Sequence, residues 1–305
     1  MTTGAKIVAD SISLEEIRLV SMQLRYPRAA VHEEFLTHRA LSRNASSSRA
    51  IPVEKMIEDI MTDPALPVHW GKNQKGMQAY EECNAPVVIP LPYVDDDEYV
   101  MQPLVLSREH AWLRARDQAV ETAYRFHKAG YHKQVVNLLL RPWEHISVIV
   151  SSTEWVNFFA LRRHETAKPE FKILADLMWE AQQASTPVLL KPGQWHLPYC
   201  PDVHGKYCTP ESDDAIKASA ARCARVSSKN HDGTNPDLAK DIALHDTLAK
   251  SEPLHASPLE HQATPDLCYH HETLAERWGN RGQWGNFVGW RQYRKMLPGE
   301  YVKDR

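Results

Sequence analysis

The chain has 305 residues, of which 43% are hydrophobic and 25% are charged, and its formal net charge at pH 7 is −3. This composition is typical of a globular protein, and the charge argues against nucleic-acid binding, which relies on an excess of basic residues. No apolar run approaches the ~20 residues of a membrane span, residues 1–20 lack the apolar segment of a secretory signal, and five cysteines in so long a chain do not form a disulfide framework. We therefore expect a soluble, cytoplasmic protein with reduced thiols.

Hydrophobic patterns in the first part of the chain predict strands interleaved with helices, and hence an α+β fold. Alternation of side chains over Glu16–Tyr26 predicts a strand with one well-buried face. Pro27 suits the first turn of a following helix, and a second short helix is predicted after Pro52. Between these helices, residues 42–49 contain too many small hydroxyl side chains to continue a helix.

The middle of the chain combines an irregular region with further regular elements. A proline-rich stretch that ends at residue 107 carries the acidic run Asp95–Glu98, which predicts a solvated loop. A long amphipathic helix is predicted over Arg108–Ala129, followed by a β-branched strand over Glu144–Val150. Thr153 is predicted to cap the next helix.

The remaining pattern divides the chain into two segments and a connector. A helix that begins at Pro169 closes the first segment, residues 1–186. Residues 187–214 contain five prolines and two glycines, which predicts a connector. The second segment, residues 215–305, is expected to contain two helices and to complete the same domain.

The stretch Thr37–Arg49 has the composition of a phosphate-binding segment. Hydroxyl groups, backbone donors and guanidinium groups lie close together in it. Such groups can surround a phosphate with charge-assisted hydrogen bonds while the arginines compensate its charge. On composition alone, a solvated serine-rich surface loop is an equally good interpretation.

Two later stretches also carry polar residues in unusual places. Arg162 ends an otherwise apolar helix face, where a charge needs a partner, a ligand or a path to solvent. Within Leu254–His261, His255 and Ser257 alternate as in a short extended segment, whereas Ser257 and Glu260 have the spacing of a helix capping box. Both interpretations of that stretch remain open.

Together these stretches resemble the flavin-dependent thymidylate synthases (ThyX). The positions that match the family's Arg-His-Arg-x-x-Ser-x-Asn-Glu-x-Ser-x-Arg-Tyr signature are His38, Arg39, Ser42, Asn44, Ser47 and Arg49, and those that depart from it are Thr37, Ala45 and Ala50. Lys172 stands where the family has an arginine. The elements Ala220–Ser227 and Leu254–His261 precede the signature in ordinary members and follow it here. The order therefore resembles a circular permutation, which folds tolerate at surface connections.

The resemblance implies a ThyX-like mixed sheet flanked by helices, a homotetramer, and FAD held between subunits. It implies transfer of a one-carbon unit from methylenetetrahydrofolate to C5 of dUMP, with NADPH as reductant through the flavin. On matching positions, the nucleotide would be held by Ser47, Ser48, Arg49 and Lys172, of which Arg49 and Lys172 would be catalytic. The flavin site would be lined by His38, Arg39, Asn44, Arg162, His255 and Ser257.

The C-terminal stretch 285–295 is similar to the family's helix that leads into its Arg-His-Arg. On one helical face, Arg291 and Arg294 could supply the cation missing at Thr37, or they could be solvated residues of a packing helix.

The same residues also allow two other functions. A deoxypyrimidine-nucleotide hydroxymethylase acting on dUMP or dCMP, and a non-catalytic nucleotide- or flavin-binding protein, are the alternatives. No metal site is predicted, because prolines and a glycine interrupt the four-residue recurrence of His196, Cys200, His204 and Cys208.

Overall fold

The computed structural model describes residues 3–95, 98–200, 212–228, 234–235, 237–252, 254–271 and 274–300. Its strands are β1 (Gly4–Ile12), β2 (Arg18–Pro27), β3 (Ser42–Ala45), β4 (Val87–Asp95), β5 (Glu98–Leu106), β6 (His145–Ser152), β7 (Val188–Leu189), β8 (Ala263–Pro265), β9 (Cys268–His271), β10 (Leu274–Trp278) and β11 (Trp290–Gln292). Its α-helices are α1 (Arg28–Phe35), α2 (Val53–Thr62), α3 (Arg108–Lys128), α4 (Lys133–Val136), α5 (Val156–Arg162), α6 (Pro169–Gln183), α7 (Asp213–Arg225) and α8 (Leu238–Ala249). Short 3₁₀ segments lie at Asn137–Trp143, Ser257–Glu260, Arg281–Gln283 and Tyr293–Met296.

A five-stranded mixed sheet in the order β3-β6-β2-β1-β7 organises the structure. The pairs β3–β6, β6–β2 and β2–β1 are antiparallel, and β7 runs parallel to β1. The pairs β4–β5, β8–β11 and β9–β10 form separate two-stranded sheets. The prediction of an α+β fold with a mixed sheet flanked by helices is therefore confirmed.

One face of this sheet is covered by α1, α5 and α6. Met22 and Leu24 of β2 lie opposite Val150 and Val148 of β6, and all four side chains are buried. The helices contribute an aromatic cluster of Phe35, Phe158 and Phe171, with ring centroids 5.6–5.9 Å apart. Burial of each such side chain stabilises the fold by about 1.5–3 kcal/mol. The predicted strand with its buried face is thereby confirmed.

The other face of the sheet carries a buried chain of hydrogen bonds between serines and histidines. Ser11 Oγ lies 2.9 Å from His196 Nδ1, and His196 Nε2 lies 2.8 Å from Ser21 Oγ. Ser21 bonds Ser151, whose Oγ lies 2.9 Å from His261 Nδ1. We call these five residues the serine–histidine chain. Burial lowers the pKa of both histidines to about 3, so both rings are neutral near pH 7.

Residues near the two ends of the sequence pack on one another. Ser42 Oγ donates to Asn286 Oδ1 at 2.9 Å and accepts from Gln292 Nε2 at 3.2 Å. The fully buried Trp290 donates from Nε1 to the carbonyl of Ile17 at 3.1 Å. The edge strand β3 is therefore held by the C-terminal residues as well as by β6.

The proline-rich region contains a hairpin where the sequence predicted no strands. β4 and β5 pair in an antiparallel register that places Pro90 opposite Pro103. Proline is tolerated there because both strands of a two-stranded sheet are edge strands. Asp95 ends β4 and Glu98 begins β5, whereas residues 96 and 97 of the acidic run lie outside the described residues.

Near helix starts, the prediction for Thr153 is wrong, and the capping box, one of the two open interpretations of Leu254–His261, does not form. Helix α5 begins after Trp155 and not after Thr153, whose Oγ1 accepts from the Val288 amide at 3.0 Å. Ser257 forms no capping box, because the 3₁₀ segment follows Ala256 and Ser257 Oγ donates to Asn44 instead.

The C-terminal stretch is not helical, which corrects the prediction for Arg291 and Arg294. Gly285 and Gly289 have φ values of 60° and 73°. These values are left-handed and cannot occur within a right-handed helix. Arg291 lies in β11, and Arg294 lies in the 3₁₀ segment that follows. The two arginines therefore do not share a helical face.

The remaining predicted helices and strands agree with the structure to within a few residues. Helix α3 is followed by Gly130 with a φ of 87°, as expected for a helix stop. Strand β6 and the helices that begin after Pro27, after Pro52 and at Pro169 are confirmed, as are the two helices of the second segment. In the described part of the chain, no helix is both long and apolar enough to cross a membrane.

Candidate functional site

A cleft of about 1070 Å³ lies where β3, the loop of residues 46–52 and α2 face the end of α7 and the residues around 255. Five of the residues singled out by the sequence line it: Asn44, Ser47, Arg49, His255 and Ser257. Ser257 donates to Asn44 Oδ1 at 2.9 Å although the two residues are 213 positions apart in the sequence. The fold therefore brings the two motifs to one cavity.

The loop of residues 46–52 is fixed by hydrogen bonds to its backbone. The Ser46 amide donates to the Ser147 carbonyl at 2.8 Å, which continues the pairing of β3 with β6. The buried Asn137 donates to the Ser48 carbonyl at 2.8 Å and to the Ile51 carbonyl at 3.1 Å. The Ser48 side chain is itself buried and does not line the cleft. Ser47 and Arg49, by contrast, are exposed at its wall.

Arg49 differs from the other arginines and the lysine that line the cleft. It forms no ion pair or hydrogen bond with any residue that the structure describes. The others are paired: Arg25 with Asp63 (2.8 Å), Lys55 with Asp59 (2.9 Å) and Arg225 with Asp241. The Arg49 guanidinium, on its fixed loop, therefore has no competing partner among the described residues and is available to an anionic group such as a phosphate.

Asn44 joins three segments of the chain. Its Nδ2 donates to the Cys223 carbonyl at 2.8 Å, near the end of α7, and its Oδ1 accepts from Ser257. Its amide is thus engaged within the protein and positions Ser257 at the cleft. His255 is exposed beside it, and its backbone amide donates to Ser251 Oγ at 3.0 Å.

The end of α7 is strained where it meets the cleft. Val226 has φ 54° and ψ 38°, a left-handed conformation that costs a β-branched residue about 1–2 kcal/mol. Its carbonyl accepts from Gln23 Nε2 at 3.1 Å, and its side chain is buried with Ile149 and Tyr199. These contacts hold the strained residue in place.

His38 and Arg162 meet at a second place, among the helices. Arg162 Nε donates to His38 Nε2 at 2.8 Å, and its Nη1 lies 2.9 Å from Glu34 Oε2. Burial, reinforced by the Arg162 and Arg43 charges, lowers the pKa of His38 to about 4. His38 is therefore a neutral acceptor, and the charge of Arg162 has a carboxylate partner.

Lys172 and Arg39 lie in neither of these groups. Lys172 pairs with Asp176 one helical turn along α6, at 2.6 Å. Arg39 is exposed in a separate cavity of about 490 Å³, which Arg281, Arg294 and Lys295 also line. The six residues that the resemblance assigns to a flavin are thus distributed over three places.

The cleft also contains residues that the motifs did not indicate. Gln23 and Arg25 project into it from β2, and His145 lines it from the start of β6. Burial lowers the pKa of His145 to about 4, and its Nε2 is buried without a hydrogen-bond partner in the described structure. The sequence signal for Gln23 and Arg25 is their position among the residues on the second face of the predicted β2 strand.

No group of three metal-binding side chains converges among the described residues. His196 belongs to the serine–histidine chain, and Cys200 is buried beside α7. His204 and Cys208 lie outside the described residues.

Comparison with known proteins gives structural neighbours only. No protein-family model matches the sequence, and no curated protein matches it either. The structure is similar to Thymidylate Synthase X (ThyX) from Helicobacter pylori with FAD and dUMP, at 12% identity over 54% of this chain and 67% of that chain, with a TM-score of 0.35. It is also similar to the UMP/dUMP methylase PolB from Streptomyces cacaoi bound with 5-Br UMP, at 16% identity over 59% of this chain and 88% of that chain, with a TM-score of 0.37.

Proposed function

We propose that the cleft binds a pyrimidine nucleotide, with the phosphate held by Arg49 and Ser47. The observation that carries this proposal is the Arg49 guanidinium, which has no partner in the described structure and stands on a loop fixed by its backbone. The cleft volume, about 1070 Å³, is at the upper end of small-molecule sites. A nucleotide therefore has both the space and the counter-charge that it needs.

The reaction that we propose is transfer of a one-carbon unit from methylenetetrahydrofolate to C5 of dUMP, with FAD and NADPH, as in flavin-dependent thymidylate synthases. Support comes from the meeting of Asn44, Ser47 and Arg49 of one motif with His255 and Ser257 of the other at the cleft. We interpret the order of these motifs as a circular permutation. Their convergence across 213 positions is what that interpretation requires.

The flavin site needs more than one chain in this proposal. His38 and Arg162 bond one another, Arg39 lies in a separate cavity, and only the remaining assigned residues reach the cleft. We propose that copies of the chain bring these places together in a homotetramer, with the flavin between subunits. Sedimentation of the purified protein with and without FAD tests this, and a monomer that retains stoichiometric FAD would contradict it.

The nucleotide site is tested by replacing Arg49. An Arg49→Ala chain should bind dUMP about 30-fold more weakly in calorimetry, since a charge-assisted hydrogen bond contributes about 2 kcal/mol. Arg163→Ala is the matched control, because Arg163 pairs with Asp176 on the helical side and does not line the cleft. An Arg49→Ala chain that binds dUMP within twofold of the unaltered chain would disprove the site.

The product distinguishes the proposed reaction from its alternatives. Mass spectrometry after incubation with dUMP or dCMP, methylenetetrahydrofolate, FAD and NADPH should show a methylated dUMP. A hydroxymethylated product would identify a hydroxymethylase. Nucleotide binding without any product would identify a binding protein, an outcome that fits the pairing of Lys172 with Asp176 and of Arg162 with Glu34.

A further inference from the structure

The floor of the nucleotide cleft is the face of the main sheet that carries the serine–histidine chain. Gln23 follows Ser21 on that face of β2, because alternate residues of a strand lie on the same side. Gln23 lies opposite Ile149 of β6, and Ile149 lies opposite Asn44 of β3. Asn44 and Gln23 are therefore about 10 Å apart, across two strand spacings. Both residues line the cleft.

The side-chain amide of Gln23 has a fixed orientation. Its Nε2 donates to the Val226 carbonyl at 3.1 Å. Since a carbonyl oxygen can only accept, the nitrogen must face Val226, and Oε1 is the free end of the amide. Oε1 accepts no hydrogen bond from the part of the chain that the structure describes, and the half-buried side chain lines the cleft. Gln23 therefore offers the cleft a hydrogen-bond acceptor whose orientation is set by the protein.

This acceptor is held by the strained residue at the end of α7. Val226 has a left-handed conformation, which a β-branched residue adopts only where its surroundings enforce it. In that conformation the Val226 carbonyl accepts from Gln23. Backbone strain of this kind is concentrated at ligand sites, where it fixes a binding group before the ligand arrives. Here the group that it fixes is the Gln23 amide.

The phosphate-binding loop lies on the opposite side of the cleft floor. Ser47 and Arg49 belong to the loop that continues from β3, which is an edge strand of the sheet. Gln23 lies two strands further in. A nucleotide whose phosphate is bound at the loop would therefore extend its base over the floor toward Gln23.

We propose that Gln23 selects the base of the nucleotide by accepting a hydrogen bond from its N3–H group, and so favours uracil over cytosine. Uracil carries a hydrogen on N3, whereas N3 of neutral cytosine is itself an acceptor. With dCMP, two acceptors would face one another and both would lack a donor. A site built to hydrogen-bond one ligand rejects an analogue that cannot form the bond. This inference rests on the proposed function, because it requires that the cleft binds a nucleotide.

Calorimetric titration of the full chain with three probes tests this role. The probes are dUMP, dCMP and deoxyribose 5-phosphate, which has the sugar and the phosphate but no base. The unaltered chain should bind dUMP at least tenfold more tightly than dCMP. Gln23→Met keeps the length of the side chain but removes its acceptor, so this preference should fall below about threefold while the affinity for deoxyribose 5-phosphate stays the same. Gln118→Met, the same substitution at an exposed residue of α3 outside the cleft, is the matched control and should keep the preference.

Gln23→Met also removes the bond to Val226, so a second variant separates the two effects. Gln23→Glu has no amide to donate to Val226 but retains an acceptor at the same place. It should therefore keep the preference for dUMP over dCMP, even though its negative charge weakens the binding of all three probes. A Gln23→Glu chain without the preference would assign the effect to the bond with Val226 and overturn the role of Oε1.

The outcomes separate this inference from the proposed function. If Arg49→Ala leaves the affinities for dUMP and for deoxyribose 5-phosphate unchanged, the nucleotide site itself fails, and the inference fails with it. If Arg49→Ala weakens both, but the unaltered chain binds dUMP and dCMP equally or Gln23→Met keeps the preference, only the role of Gln23 fails. Loss of the preference in Gln23→Met, with its retention in Gln23→Glu and Gln118→Met, supports that role.

Discussion

Acidification from about pH 7 to about pH 5 should destabilise the fold through His196 and His261. Both side chains are at most 1% exposed, and burial lowers their pKa from 6.5 to about 3. Since the folded-state pKa is the lower one, the unfolded chain binds protons more readily. The stabilisation is therefore complete above about pH 6.5 and is lost as the pH falls toward 3. One pKa unit corresponds to ~1.4 kcal/mol, so the stabilisation that each neutral histidine contributes should fall by about 2 kcal/mol by pH 5.

The loss from the pair, about 4 kcal/mol, is a large part of the ~5–15 kcal/mol that stabilises a typical domain. Urea unfolding followed by tryptophan fluorescence at several pH values measures it. His261→Asn keeps an amide near the Ser151 hydroxyl but cannot titrate, so the dependence of stability on pH should fall by about 2 kcal/mol over this interval. His164→Asn, an exposed control, should leave it unchanged. An equal loss in the His261→Asn and unaltered chains would refute the reasoning, because histidines elsewhere act equally on both.

Three further predictions concern the end of α7. Asn44→Ala removes the partner of the Cys223 carbonyl and should lower the free energy of unfolding by about 1–3 kcal/mol, measured by urea unfolding; no change would show that water replaces the amide. Asp241→Asn should cost about 3–5 kcal/mol in the same assay, because Arg222 and Arg225 lose their buried shared counter-charge; a loss below about 1 kcal/mol would contradict this. Burial raises the pKa of the Cys223 thiol, so iodoacetamide should label it only after denaturation, and labelling of the native protein in mass spectra would contradict its burial.

The elements that sequence periodicity predicts correctly are those with one buried side. The apolar side chains that alternate along β2 pack in one core with those that recur at helical spacing along α6. The sequence periodicity of each element therefore predicts its observed secondary structure. The β4–β5 hairpin was missed because its opposed prolines lie in edge strands, where the usual cost of proline disappears. The C-terminal stretch has helical spacing of its side chains but forms no helix, because its glycines are left-handed.

At the cleft, local sequence pattern singles out individual residues but does not identify the residues that they contact. Ser47 and Arg49 were singled out by a local pattern, and both line the cleft. The pairing of Arg162 with Glu34 joins residues 128 positions apart and depends on how α1 and α5 pack. Local spacing carries no information about such contacts, which is also why His145 was missed.

The attachment of β3 to the C-terminal residues has a consequence for how the chain folds. Ser42 bonds Asn286 across 244 positions and Gln292 across 250. Closing a loop of that size costs about 5 kcal/mol of chain entropy before any contact forms. The sheet edge should thus be among the last parts to fold. During synthesis, the N-terminal strands leave the ribosome long before their C-terminal cover exists. In that interval the edge of the sheet at β3 is open to pairing with other chains.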